Sequence, residues 1–173
     1  MNAPLAYHRM ALNNAWANAT LYAALSGLGQ RAFRAPRPGF FPSLKATLNH
    51  IHMVDLYYLD ALEGGGLGRT VFDAAEIDDP NALGTAQAAT DLRLARICKG
   101  LTDERLSETC ITARADGPVE EKVGAVLLHL FQHQIHHRGQ AHVQLQEAGI
   151  APPQLDDFYL TYGRVPSAAA YWS

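Results

Sequence analysis

Between His129 and Gln140 the chain reads His-Leu-Phe-Gln-His-Gln-Ile-His-His-Arg-Gly-Gln, which places four of its eight histidines within nine residues. The segment has helical periodicity, and on an α-helix each residue turns by about 100°, so positions three and four apart share a face. His129, His133, His136 and His137 therefore fall within an arc of roughly 100°, with Gln140 among them and His142 on the opposite side. Neutral imidazoles pointing one way are nitrogen ligands for a divalent transition metal. One helical turn supplies only two well-placed imidazoles, so a site built on this stripe needs a second element facing it.

The rest of the chain supplies further helices. Tyr7 to Leu28 reads as the first, with Trp16 and Tyr22 at helical spacing and Gly27 and Gly29 marking its end. Arg34-Ala-Pro-Arg-Pro-Gly39 is a loop by its Pro and Gly content. Ser43 is suited to cap a second helix running to about Leu62 and stopped by Gly64-Gly65-Gly66. Leu67 to Asp79 reads as an irregular connection. Pro80 fits the first turn of a third helix through Leu92, Leu94, Ile97 and Leu101. Leu106 to Thr112 has strand-like β-branched character before an Asp116-Gly117 turn, and Pro118 is expected to open the fourth and longest helix, ending at Gly149. The tail after Ala151 lacks helical periodicity. This pattern predicts an all-α protein, a four-helix bundle with at most one short β-hairpin before the last long helix, forming one domain over residues 1–173. The connection between the second and third helices spans ~17 residues, long for an up-and-down bundle, so crossover and meander topologies both stay open.

Composition narrows the function. Hydrophobic residues make up 48% and charged residues 18%, values of a globular domain, and a formal charge of −3 offers no basic field for nucleic acid. No apolar run approaches the ~20 residues a membrane span requires, and Asn2-Ala-Pro is no signal peptide, which makes the cytoplasm the expected location. Cys98 and Cys110 form no CxxC pair and read as buried thiols, not nucleophiles. Gly64-Gly65-Gly66 lacks the Lys-Ser/Thr of a phosphate loop.

His133 and His137, at i and i+4, are the best-spaced ligand pair, with the spacing of an HExxH zinc helix but without its glutamate. A third ligand is expected from the second helix, where His50 and His52 lie about 160° apart and flank the apolar arc on opposite sides. Periodicity does not choose between them. Asp55 lies inside that arc.

The run His133-Gln-Ile-His136-His137-Arg138-Gly139-Gln140 resembles the HxxxHRGQ signature of the DinB/YfiT-like, damage-inducible family of metalloenzymes. The stretch from Ala46 to Tyr58 is similar to that family's second motif, a histidine five residues before an aspartate. The resemblance covers nearly the whole chain. It implies a four-helix bundle with an open three-histidine site, its ligands His50, His133 and His137, holding a divalent transition metal such as zinc, nickel or iron. Asp55, His129, His136 and Gln140 then become supporting residues around the ligands, with Asp55 a partner for an imidazole N–H. Gly139, costly in mid-helix, is expected to serve close helix packing. Relatives in this broad superfamily include S-transferases and isomerases that use low-molecular-weight thiols, so the implied reaction is transfer of a small thiol to an electrophile or a related transferase or hydrolase chemistry. The contrasting expectation is a non-catalytic metal-binding stress-response protein whose site is closed by a fourth protein ligand, His129 or His136. A homodimer is a further expectation, and Tyr159, Tyr162, Tyr171 and Trp172 offer an aromatic surface for one unless they pack on their own bundle.

Overall fold

The computed structural model describes residues 2–172. Asn2 caps α1 (Ala3–Ala24) by accepting from the Leu5 amide, and Pro4 occupies the first turn, where its missing N–H costs no helical bond. The helix thus starts before the expected Tyr7 and stops short of Leu28. A short α2 (Gln30–Phe33) buries Phe33. Ser43 caps α3 (Leu44–Glu63) by accepting from Ala46, and Gly64 ends it in the left-handed conformation, φ +69°. The expected irregular connection contains a 3-10 helix at Gly68–Asp73. Asp79 caps α4 (Pro80–Lys99), and Thr102 caps the short α5 (Asp103–Ser107).

The hairpin of β1 (Thr109–Arg114) and β2 (Gly117–Lys122) is antiparallel, with Ala113 opposite Pro118 and Arg114 opposite Gly117. Pro118 therefore does not open the last helix. Both strands of a two-stranded sheet are edges, where proline's missing donor is tolerated. The last helix, α6 (Val123–Glu147), begins where the hairpin ends, with the Val123 N–H bonded to the Glu108 carbonyl at 3.0 Å. A short α7 (Pro166–Ala169) lies in the tail, which seats Phe158, Trp172 and Ala168 against Trp16 of α1.

The molecule is mostly helical, and its four longest helices bury two apolar clusters. One contains Ala11, Val54, Leu59, Leu94, Leu127 and Leu130; the other contains Leu21, Leu48, Ile51, Leu83, Ala141 and Leu145. Between them lies a polar layer of Asn14, Asn18, Asp55, Gln87, Asp91, Gln134 and Arg138, all buried. The order in which each helix meets these clusters sets its direction: α1 and α6 run one way, α3 and α4 the other. Because α3 and α4 are parallel, the chain between them must return along the bundle, and it does. Ile77 exchanges backbone hydrogen bonds with the Asn49 side chain, and Lys45 pairs with Glu76 at 3.0 Å and Asp78 at 2.8 Å. The crossover topology is the one adopted.

Candidate metal centre

Two antiparallel helices, α3 and α6, carry the candidate ligands. His50 faces His133 with their Nε2 atoms 2.9 Å apart, and His137 completes the group, its ring centroid 4.6 Å from that of His50 and 4.3 Å from that of His133. One nitrogen from each ring lies within 4.8 Å of the others, so the three histidines are positioned to hold a metal ion.

Their electrostatics suit that role. Burial, then the neighbouring His137, pushes the His50 imidazole down to about 4. Burial followed by the charges of His137, His50, His129 and His136 pushes His133 down to about 3. His137 is also lowered, chiefly by burial. His50 and His133 are neutral at pH 7, the shift of His137 runs the same way, and a neutral imidazole has one nitrogen lone pair to offer a metal. The donor set of three neutral imidazoles fits zinc, nickel or iron. The buried Nδ1 of His133 has no protein partner, so no bond to it holds that ring away from the group.

Gln140 lies three residues beyond His137 on α6 and contacts two of the histidines. Its Oε1 accepts from His137 Nδ1 at 2.8 Å, and its Nε2 donates to His136 Nε2 at 3.0 Å. His136 and His129 are exposed and lie beside the group, not in it; His129 meets the Tyr58 ring edge-on at 5.2 Å. His52 is buried, with Nδ1 unpartnered, and stands near Gln87 of α4 instead of with the other rings. His142 is on the far side of α6 beside Arg138.

Asp55 is placed differently from the expectation. It is fully buried and its Oδ2 accepts from Gln87 at 2.7 Å and from Gln134, with no imidazole among its partners. It belongs to the polar layer, where Arg138 Nη1 donates to Asn14, Asn18 and Gln134, and Asn14 and Asn18 in turn donate to Asp91. Arg138 is thus a core residue that joins α1, α4 and α6. Gly139 serves no close packing among the described residues, because a Cβ added there would meet none of their atoms within 4 Å. Cys98 and Cys110 are buried free thiols, with Cys98 pushed up to about 12 by burial.

Sequence periodicity missed Phe41. Its ring packs on His50 at 4.4 Å and on His137 at 5.5 Å, backing two of the three imidazoles. The loop holding it is tied down by Gln144, whose Nε2 donates to the Phe41 carbonyl at 2.8 Å and whose Oε1 accepts from Thr47 at 2.8 Å. Gln144 lies seven residues beyond His137, on the same helical face, which is the one signal the sequence held.

The three rings open onto a cavity of about 560 Å³. Its wall includes Val54, Tyr57, Tyr58 and Phe72, with His129 and His136 beside the three clustered histidines. Among the described residues no helix is long and apolar enough to cross a membrane.

Comparison with known proteins identifies the family and the fold. The protein DinB of Bacillus subtilis (strain 168) is 24% identical over 148 residues, covering 83% of this chain and 86% of that protein. The crystal structure of a DinB-like protein from Bacillus cereus ATCC 10987 superposes with a TM-score of 0.62 at 18% identity, covering 80% of this chain and 90% of that one, which shows a shared fold. The family model of the DinB family matches residues 1–164, and with nearly the full length matched, the chain belongs to the DinB family.

Proposed function

We propose that this protein is a metal-dependent enzyme of four-helix-bundle architecture, in which His50, His133 and His137 hold a divalent transition ion and a small-molecule substrate enters the cavity above them. The observation that carries this reading is that the three imidazoles converge at an open cavity while His129 and His136, the two residues able to close the site, stand outside the group. A stabilising, non-catalytic ion would call for a fourth protein ligand there. A bound divalent ion would supply Lewis acidity, lowering the pKa of a coordinated water or thiol.

The chain's own residues do the rest. Gln140 holds the His137 Nδ1–H and leaves Nε2 free for coordination, and Phe41 limits rotation of His50 and His137. The aromatic wall excludes water from one side of the cavity. His129 and His136, exposed to the cavity, stand ready to accept or deliver a proton. The resemblance to thiol-using members of the superfamily supports a low-molecular-weight thiol as co-substrate and an electrophile as its acceptor.

The test is elemental analysis of protein purified without a His-tag, followed by a screen of small thiols with electrophilic acceptors. Conjugation that disappears on chelation and returns with zinc, nickel or iron is the expected result. Metal-loaded protein that conjugates none of them would defeat the thiol-transfer reading.

A further inference from the structure

The two segments inserted between the long helices form the upper wall of the metal cavity. The 3-10 helix contributes Arg69 and Phe72, and the end of β1 contributes Ala113 and Arg114. The Tyr57 hydroxyl donates to the Ala113 carbonyl at 2.6 Å and pins this end of the hairpin to α3. Arg114 is held beside Tyr58, with Nη1 3.4 Å from the phenol oxygen and its guanidinium carbon 5.9 Å from the ring centroid.

The charge of this lining is one-sided. Two guanidinium groups and five histidines line the cavity, and among the described residues no aspartate or glutamate does, in a chain whose formal charge is −3. Arg69 makes no hydrogen bond or ion pair among the described residues. Arg114 Nη2 pairs with Glu121 at 3.6 Å, a carboxylate outside the cavity lining. Guanidinium forks in a concave site are matched to carboxylate or phosphate oxygens, and here Arg69 has no partner of that kind among the described residues while Arg114 meets Glu121 at 3.6 Å, near the limit of an ion pair. The flat apolar surfaces of Tyr57, Tyr58 and Phe72 lie alongside, suited to a planar organic body.

We propose that Arg69 and Arg114 form an anion subsite of this cavity, so that the substrate which meets the metal-binding histidines is a planar organic acid held by its carboxylate at the upper wall. The proposal rests on reading the cavity as the substrate chamber. Arg69 and Arg114 are positioning residues: they hold the anion, and the histidine end carries the chemistry.

Benzoate and its neutral counterpart benzamide are suitable probes, titrated into zinc-loaded and EDTA-treated protein by NMR or calorimetry. Benzoate is expected to bind more tightly than benzamide in both forms, and Arg69→Gln and Arg114→Gln each to weaken benzoate on the order of tenfold while leaving benzamide unchanged. Arg69 is exposed on the 3-10 helix, so its variant stays informative if Arg114→Gln disturbs the hairpin. Equal binding of the two probes overturns the subsite. So does benzoate binding that appears solely in the zinc-loaded protein and ignores both arginine substitutions, because the ion alone would then hold the carboxylate. Arginine-dependent benzoate binding in a protein that takes up no zinc upholds the subsite and defeats the metal reading.

Discussion

The imidazole of His137 donates its Nδ1–H to Gln140 Oε1 at 2.8 Å, one helical turn along α6. The same amide donates from its other end to His136 Nε2 at 3.0 Å, so two contacts set its orientation. A ring whose Nδ1 carries the proton offers its Nε2 lone pair to the side where His50 and His133 lie.

Gln140→Ala should therefore weaken metal binding without removing a ligand. Loss of such a supporting hydrogen bond typically costs 10–100-fold, about 1.4–2.7 kcal/mol. Competition against a chromophoric chelator measures it. Unchanged affinity would show that His137 is oriented by its packing on Phe41 alone.

The candidate ligands separate from the other histidines. Replacing His50, His133 or His137 by Ala should abolish stoichiometric metal in tag-free protein, while His52→Ala and His142→Ala should retain it. Elemental analysis reads the outcome directly. Full retention in the His133 and His137 variants would remove the site.

Several of these placements were legible in the sequence and others were not, for physical reasons. The four long helices follow from 3.6-residue periodicity and from local caps at Ser43, Pro80 and Gly64, which act within a few residues of themselves. Pro118 misled because proline suits both a helix start and an edge strand, and only pairing with Ala113 decides between them. The His133–His137 pair was visible because both residues sit on one helix. The choice of His50 over His52 needed the family resemblance, since it depends on how α3 rotates against α6. Asp55 was legible as lying inside the apolar arc, but its partners come from α4 and α6, so periodicity could not tell a metal-supporting carboxylate from a member of a buried polar layer. Phe41, in a loop without periodicity, is tied to the site by a contact with Gln144, 103 residues further along the chain.

Acid should destabilise the metal-free protein through the same histidines. In the unfolded chain both His50 and His133 protonate as the pH falls through 6.5, whereas in the folded chain they stay neutral down to about 4 and about 3. The unfolded state binds more protons in that window, so stability falls as pH drops from about 6.5 toward 4. Asp91 opposes this, because burial raises its carboxyl from 3.8 to about 6 and the folded state then binds the extra proton. Thermal melts in EDTA at about pH 7.5 and about pH 5, compared with a His50→Gln/His133→Gln variant, isolate the histidine contribution. The wild type should lose more Tm on acidification than the variant; equal losses would contradict the assignment.

Arg138 should matter for stability far more than for metal content. It is buried with its charge opposite Asp91 and Asp55, and burial holds its guanidinium down at about 10 against the pull of those carboxylates. Arg138→Ala strips the layer of its cation and of the donor to Asn14, Asn18 and Gln134, and breaking a buried charge network of this kind costs about 3–5 kcal/mol. Urea unfolding in EDTA should show that loss, with a smaller one for Arg138→Lys. A loss below about 1 kcal/mol would mean that water already satisfies the layer.

Gly139 gives the opposite sign. It sits in the interior of α6, where glycine is about 1 kcal/mol less favourable than alanine, and a Cβ there would meet open space. Gly139→Ala should therefore stabilise the protein by about 1 kcal/mol, raising Tm by about 2–4 °C. Gly84 in α4 is the control, because a Cβ there would come to 3.0 Å from the partly buried Tyr22 ring and that contact offsets the same helical gain. Calorimetry of the two variants in EDTA reads the difference. A Gly139→Ala protein no more stable than wild type would show that this face of α6 packs against something beyond the single chain.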